Sequence, residues 1–284
     1  NKIINDPDLT SGSKFQDASK YYHADANYNF AHAIDVVDIQ IGGSFRQYSL
    51  NSDGTIYTDI DGNINYNEFG VYTQLQKSLE LSDAVNLKLT GSVRYDKSEF
   101  FDGFFSPRIS AGFTVNRDHN FRASAQTGFR NPTTQDLFIG LDAGRAILVG
   151  AAPENLDRWS RTYTVGDTRS AFELSQASQG LGQPIAITST GADAYNNSYT
   201  ASSALEFEAT EDPSVLAVAN PSLVKPEQVT SGEVGYRGKF NSIIVDLSAY
   251  YNIYKDFISQ KAVIAPFYGT VGDGSLSLAA IGNG

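Results

Sequence analysis

Apolar and polar residues alternate with a period of two along much of the chain. In VNLKLTGSVRYDK, for example, Leu87, Leu89 and Val93 fall on one side of an extended backbone, and Lys88 and Arg94 fall on the other. Successive side chains of a strand point to opposite faces of a sheet, so this pattern predicts β-strands with one apolar face. The alternating segments begin near residues 20, 36, 68, 85, 107, 120, 232 and 242. We therefore predict an all-β chain with about eight antiparallel strands.

The connections between these segments alternate in length. AHAID, ELSDA, NRDHN and FNS are short, SEFFDGF is intermediate, and residues 50–66 and 131–225 form long connections. Outer-membrane β-barrels have short turns at one rim and long extracellular loops at the other, and their tilted strands need about 9 to 11 residues to cross a bilayer. The predicted strands have about this length. The pattern therefore predicts a transmembrane antiparallel β-barrel with long extracellular loops.

The two predicted faces favour a membrane barrel over a soluble sheet, which can also have one apolar side. Tyr and Phe lie near the strand ends of the apolar face, as in an interfacial aromatic girdle. The opposite face carries charges well inside the strands, at Asp25, Arg46, Arg94, Asp96, Arg108, Arg122 and Asp246. Such charges suit a water-filled lumen. For any single one we expect pairing with another charge rather than contact with a substrate.

Composition argues against several classes of function. The 284 residues carry a net charge of -11 and no cysteine, so neither a disulfide framework nor thiol chemistry is available. No run of Lys and Arg occurs, which argues against a nucleic-acid partner. The carboxylates lack the spacing of an acid/base pair, and Ser, His and Asp are too scattered for a triad. We expect no enzyme and no cofactor.

The segment YTDIDGNINYNEF resembles the calcium loop of an EF-hand. Its oxygen ligands would be Asp59, Asp61, Asn63, Asn65 and Glu68. The first ligand position, however, is Tyr57, which has no carboxylate. An EF-hand loop also joins two helices, whereas this segment joins two predicted strands. We interpret residues 57–65 as the tip of an extracellular hairpin with an Asp-Gly turn, and we expect no metal site there.

The long connection, residues 131–225, contains the only tryptophan. Trp159 is flanked by Arg158 and Arg161, with Tyr163 nearby. Such a group can stack on sugar or chelate rings and bind anionic groups. The alternative is that Trp159 packs under the loop and the arginines pair with aspartates, for which the candidates are Asp157 and Asp167.

Several blocks of the sequence resemble the β-barrel of TonB-dependent outer-membrane receptors. They include NFRASAQTGFRNPTTQDLF and NPSLVKPEQVTSGEVGYRGKF, and the resemblance runs from about residue 69 to residue 258. The most specific positions are Gly128, Phe129, Arg130, Pro132, Leu137, Phe138, Asn220, Pro221, Leu223, Pro226, Glu227, Glu233, Gly235 and Tyr236. The candidate ligand contacts within and beside these blocks are Arg130, Gln135, Asp136, Arg158, Trp159 and Arg161.

The resemblance implies that residues 1–284 are an internal fragment of a receptor in the outer membrane of a Gram-negative bacterium. The fragment would supply about eight strands of a larger barrel, while the plug domain and the N-terminal box for TonB are missing. The implied function is import of a scarce solute: an iron chelate, a cobalamin, an oligosaccharide or a peptide. TonB, with ExbB and ExbD, would supply the energy through the missing N-terminal part. Outer-membrane lipid is a further implied partner, and a surface lipoprotein is left open.

A secreted β-sandwich for adhesion or carbohydrate binding is the alternative from another class. It would explain the turns, the acidity and the aromatic residues. It would not explain the alternation of short and long connections, or a single connection as long as residues 131–225.

Overall fold

Eight strands form one antiparallel sheet in the computed structural model, which describes residues 15–144, 146–163, 187–266 and 270–272. Numbered along the chain, they are β1 (Lys20–Asn29), β2 (Asp38–Leu50), β3 (Ile64–Ser82), β4 (Val85–Ser98), β5 (Phe104–Val115), β6 (His119–Arg130), β12 (Glu227–Phe240) and β13 (Ile243–Lys255). Each strand pairs with the next in this order, so β12 lies beside β6 across the long connection. All eight predicted strands are confirmed.

The register of the sheet places apolar side chains opposite one another. Val71 of β3 lies opposite Tyr95 of β4, and Phe113 of β5 lies opposite Phe121 of β6. Directly opposed residues share a face, so the alternation in each strand adds up to one continuous apolar face. The large side chains on this face are exposed; Ile109, for example, is 64% exposed. No other part of the described chain covers them to form a core.

The polarity of the two faces is exchanged at one end of β2 and β3. Along most of β3 the apolar side chains, beginning with Phe69, lie on the exposed face. On the N-terminal side of Phe69, Asn65 and Asn67 lie on the exposed face, while Ile64 and Tyr66 lie on the other face and are buried. The alternation therefore continues with its sense reversed. This end carries the long connections, and we call it the long-loop side.

The connection between β6 and β12 contains short helices and strands. They are α1 (Thr134–Phe138), β7 (Gly140–Asp142), β8 (Ile147–Val149), α2 (Asn155–Arg158), β9 (Ser160–Tyr163), β10 (Ile187–Thr190), α3 (Gly191–Asn196), β11 (Tyr199–Thr200), α4 (Ala201–Thr210) and a 3-10 turn (Pro213–Val215). A last strand, β14 (Val263–Ile264), follows β13 and pairs with β11. Among the helices of the described residues, none has the length and apolar character needed to cross a membrane.

The first part of this connection, residues 131–140, lies across the long-loop side of the sheet, and we call it the strap. It leaves β6 but packs on β2 and β3, which lie several strands away. Its Leu137 and Phe138 are buried in one core together with Leu50, Tyr57, Ile64, Tyr66 and Ala152. The main chain is also paired: Thr58 N–H donates to the Phe138 carbonyl at 3.0 Å, and Gly140 N–H donates to the Ile56 carbonyl at 2.9 Å.

The β2–β3 hairpin is present, but its free tip is shorter than predicted. Tyr57 and Asp59 are buried, and Tyr57 forms a bridge with Ile139 of the strap. The part that projects lies around Asp61 and Gly62, where Gly62 has a φ of 130°. The prediction that residues 57–65 form the tip is therefore wrong for residues 57–59 and for residues 64 and 65, which belong to β3. The strap contacts Tyr57 and Thr58, and the local sequence pattern carries no sign of that contact.

Candidate functional site

The polar face of the sheet and the strap border an open concavity of ≈ 880 Å³. Its lining includes His23 on β1, Arg46 on β2, Glu68 on β3, Arg94 on β4 and Arg130 at the end of β6. The register places Arg46 between His23 and Glu68, so charges that are distant in sequence become neighbours across the strands. The predicted polar face therefore carries charged side chains, and we call it the wall. The strap lies over its long-loop end.

Glu68 connects this wall to the strap. Its side chain is almost buried, and the Arg46 guanidinium and the Tyr48 hydroxyl both donate to one carboxylate oxygen at 3.4 Å. The other oxygen accepts from the side-chain amide of Asn131 at 2.7 Å. A buried carboxylate is costly unless its lone pairs are satisfied, so these partners belong together. Glu68 therefore holds the first residue of the strap against β2 and β3.

Arg94 is held in one orientation within the wall. Its Nε and Nη2 atoms donate to the two oxygens of Asp96 at 2.7 and 2.6 Å, and Nη2 also donates to Ser44 Oγ at 3.0 Å. A bidentate pair of this kind fixes the plane of the guanidinium. Gly70 lies beneath it, and a Cβ at that position would overlap the Arg94 and Asp96 side chains. The glycine therefore leaves the space that the ion pair occupies.

A second ion pair group lies further along the sheet. Arg122 of β6 is 3.5 Å from Glu233 of β12 and 3.4 Å from Asp246 of β13. These side chains are well exposed, so each pair adds little to stability. The expected pairing of charges on the polar face is found for Arg46, Arg94, Asp96, Arg122 and Asp246.

Three of the predicted ligand contacts lie at the strap. Arg130 pairs with Glu227 at 2.7 Å, while its side chain remains 55% exposed at the edge of the concavity. Gln135 is exposed on α1. Asp136 forms a capping box for α1, because its carboxylate accepts from the N–H and the hydroxyl of Thr133, both at 2.8 Å. Of the three, only Arg130 borders the concavity.

The other three predicted contacts lie at α2 and β9, outside the lining of the concavity. Arg158 is exposed. Trp159 is half-buried and lies over Gly140, where a Cβ would come within 3.1 Å of its indole ring. Local packing therefore accounts for part of the Trp159 surface. None of the contacts described for Arg158, Trp159 and Arg161 joins them to Arg130 or to the strap residues Gln135 and Asp136.

Arg161 has a partner that the sequence analysis did not name. It forms an ion pair with Asp142 of β7. Of the two expected partners, Asp157 is exposed and Asp167 lies outside the described residues, as does the side chain of Tyr163. The pair with Asp142 joins β9 to the β7–β8 hairpin and so stabilises the loop.

The ligand positions of the EF-hand-like segment do not converge. The Asp59 carboxylate is buried and accepts from the N–H and hydroxyl of Ser52 and from Gly54 N–H, so it stabilises its own turn. Glu68 lies on the polar face of β3, bound to Arg46 and the strap. The remaining positions, Asp61, Asn63 and Asn65, are exposed. Within the described ranges, no group of three or more acidic or histidine side chains is placed to hold a metal ion.

Sequence reasoning missed Tyr48, Tyr66 and Asn131. The rings of Tyr48 and Tyr66 are stacked, with centroids 4.5 Å apart, at the long-loop end of the concavity. The available signal was an aromatic residue on the polar side of the alternation in both β2 and β3. Asn131 gave no signal of its own, because its partner Glu68 is distant in sequence.

Comparison with known proteins identifies the family. The model for the family described as "TonB dependent receptor-like, beta-barrel" matches residues 3–282. The chain belongs to this family. Its eight-stranded sheet is therefore part of the wall of a transmembrane antiparallel β-barrel in the outer membrane of a Gram-negative bacterium, and its apolar face contacts lipid.

Individual proteins match the chain over a shorter stretch or with low sequence identity. The vitamin B12 transporter BtuB of Vibrio vulnificus (strain CMCP6) is 30% identical over 103 residues, which are 36% of this chain and 16% of that protein. The siderophore receptor PirA of Pseudomonas aeruginosa is 14% identical, with a TM-score of 0.46 over 83% of this chain and 31% of PirA. The ferric enterobactin receptor PfeA of the same species is 13% identical, with a TM-score of 0.43 over 84% and 26%. The chain thus spans a third or less of each relative.

Proposed function

We propose that this chain is part of an outer-membrane receptor that binds a scarce solute and imports it with energy transmitted by TonB. The match to the receptor barrel family over residues 3–282 carries the proposal. The names of the relatives indicate the solute class, since BtuB is a vitamin B12 transporter and PirA is a siderophore receptor. The solute in this proposal is a siderophore or a cobalamin, and it is not chemically changed.

In this proposal the polar face is the lumen wall, and the long-loop side faces the outside of the cell. Residues 131–225 then form an extracellular loop whose strap roofs one sector of the lumen. The ≈ 880 Å³ concavity and its ion pairs support a water-filled interior. The plug domain and the segment that contacts TonB, which works with ExbB and ExbD, belong to other parts of the receptor.

The proposed ligand contacts fall into two groups. Arg130 is the mouth contact, because its exposed guanidinium borders the concavity while Glu227 holds it in place. Gln135 is exposed on α1, in the strap that follows Arg130. Arg158 and Trp159 are the outer group, with an exposed cation next to a half-buried ring. An anionic solute would suit either group, and one that also carries an aromatic ring would suit the outer group.

A secreted β-sandwich for adhesion or carbohydrate binding is not favoured. A sandwich needs a second sheet packed on the apolar face of the first. In the part of the chain that the structure describes, the other sheets have two short strands each and do not cover this face.

Uptake by the full-length receptor tests the proposal. Matched Gram-negative hosts with and without TonB would express it, and the probes would be radiolabelled cobalamin and a panel of ferric siderophores. We expect one probe to bind in both hosts and to accumulate only in the host with TonB. Recovery of the receptor in the soluble fraction without detergent, or uptake that does not need TonB, would contradict the proposal.

Shortening residues 146–217 tests the proposed role of the long loop in solute capture. This change keeps residues 131–140 and Arg130 but removes Ala152 from the core of the strap. The eight strands of the sheet are unchanged, so the barrel is expected to assemble while uptake falls at least about tenfold, the change that follows from about 1.4 kcal/mol of lost binding. A Gln135→Ala receptor, altered at an exposed strap position, separates a contact of the strap from one of the outer loop. Normal import by the shortened receptor would exclude the capture role.

A further inference from the structure

The segment that follows β13 does not run free at the long-loop side. Its short strand β14 pairs antiparallel with β11 of the long connection, with Tyr199 opposite Ile264 and Thr200 opposite Val263. Beside this pair, Ala201 N–H donates to the Ala262 carbonyl at 3.2 Å. The segment after β13 and the connection between β6 and β12 therefore share a small sheet.

Further bonds join the two segments. The Lys261 ammonium donates to the Ala219 carbonyl. Val271 N–H donates to the side chain of Asn197 at 2.7 Å, and Gly272 N–H donates to the Tyr199 hydroxyl at 3.1 Å. These contacts lie on both sides of the β11–β14 pair, so the two segments are joined along their length rather than at one point.

The two segments also share one apolar core. Its buried members, Tyr199, Ala204 and Phe207, come from the long connection. The residues packed against it are Val215 and Leu216 from the long connection and Ile264 and Val271 from the segment after β13. Removing the second segment would uncover part of this core, so neither segment provides a complete core alone. We call residues 197–219 together with residues 261–266 and 270–272 the lobe.

We propose that the lobe is a single capture body, and that the segment after β13 supplies part of it and moves with the long loop as a unit. This inference rests on the proposed import function. The lobe bridges the β12–β13 hairpin, because the long connection enters β12 at Glu227 and the second segment leaves β13 at Lys255. A solute that closes or opens one loop therefore moves the other. The specificity of capture is divided between two loops distant in sequence.

A cross-link across β11 and β14 tests the shared movement. Thr200 and Val263 are directly opposed, and cross-strand Cα atoms lie about 4.5 to 5.5 Å apart, within the range that a disulfide spans. The chain has no cysteine of its own. In the full-length Thr200→Cys/Val263→Cys receptor, we expect mild oxidation to close the disulfide with and without the imported probe. We expect uptake to stay within about twofold of the reduced form; each single-cysteine variant is the control.

Two results of the cross-linking would overturn the proposal. One is failure of the disulfide to form. The other is a disulfide that stops uptake until a reductant is added, which would mean that the loops separate during transport.

A second measurement does not depend on transport. Ile264→Asp places a charge in the shared core, whereas Ser259→Asp places the same charge at an exposed position of the same segment. We expect hydrogen exchange of residues 199–207 to rise at least tenfold in the first variant and to stay unchanged in the second. Equal exchange in both would overturn the shared lobe. A wild-type receptor that imports no probe would refute the proposed function, while cross-linking and exchange would still decide whether the lobe is one body.

Discussion

Replacing Phe138 by alanine isolates the contribution of the strap. Phe138 is 0% exposed, meets Phe100 edge to face at a centroid distance of 5.2 Å, and lies 6.1 Å from the ring of Tyr66. Truncation of a buried Phe costs about 3 to 5 kcal/mol, because contacts are lost and a cavity remains. These contacts join the strap to the long-loop side rather than strand to strand. We therefore expect the strap to open locally while the sheet stays paired.

Hydrogen exchange of the full-length receptor measures this opening. A loss of about 3 kcal/mol raises the open fraction more than a hundredfold, since about 1.4 kcal/mol is tenfold. The reporting amides are Thr58 N–H and Gly140 N–H, whose bonds join the hairpin to the strap. Gln135→Ala, at an exposed position of the same helix, is the matched control and should leave both amides protected.

Two outcomes would refute this reasoning. If Phe138→Ala leaves Thr58 and Gly140 protected, the strap does not depend on its buried aromatic contacts. If exchange rises equally throughout β3 to β6, the strap and the sheet unfold as one cooperative unit, and the local description is wrong.

Three further substitutions test the wall. Leu89→Arg, on the lipid face, should lower the free energy of unfolding by about 2 to 4 kcal/mol near the middle of the apolar band, and Ser92→Arg, on the polar face, should lower it much less. Urea unfolding in lipid vesicles measures both losses. Equal losses would contradict the face assignment. Thr127 has the one buried side-chain polar atom without a partner among the described residues, so Thr127→Val should raise the free energy of unfolding by about 1 kcal/mol rather than lower it. Gly70→Ala should destabilise by about 1 to 3 kcal/mol, whereas Gly91→Ala, where a Cβ meets no atom within 4 Å, should not; similar unfolding midpoints would contradict the packing argument.

The strands and their faces could be predicted from the sequence because alternation is a local property. Leu89 and Arg94 identify their faces from their neighbours alone, and the register then brings like faces together. The pairing of charges on the polar face was also predictable in kind. Which residues pair was not predictable, because Arg46 and Glu68 become neighbours only when the register of β2 and β3 is fixed.

The contacts of the strap could not be predicted from the local alternation of polar and apolar residues. Tyr57 was assigned to a free hairpin tip because its flanks are strands, but its bridge to Ile139 joins segments far apart in sequence. Tyr66 lies on the side of β3 that the alternation marks as polar, and it is buried because the strap covers it. The separation of Arg130 from Trp159 likewise depends on how the long connection folds back on itself. Such non-local contacts leave no periodic signal in the sequence.

The reversal of polarity along β3 also determines how deep the wall sits in the membrane. If the sheet sank by four residues, Asn67 and then Asn65 would enter the hydrocarbon, where their amides have no partner in lipid. If it rose by the same amount, Phe69 and Val71 would be transferred to water. Both displacements are unfavourable, so the vertical position is held by the sequence of the strand itself. A membrane with a different hydrocarbon thickness would have to adapt to the protein, by local thinning or thickening around this sector of the wall.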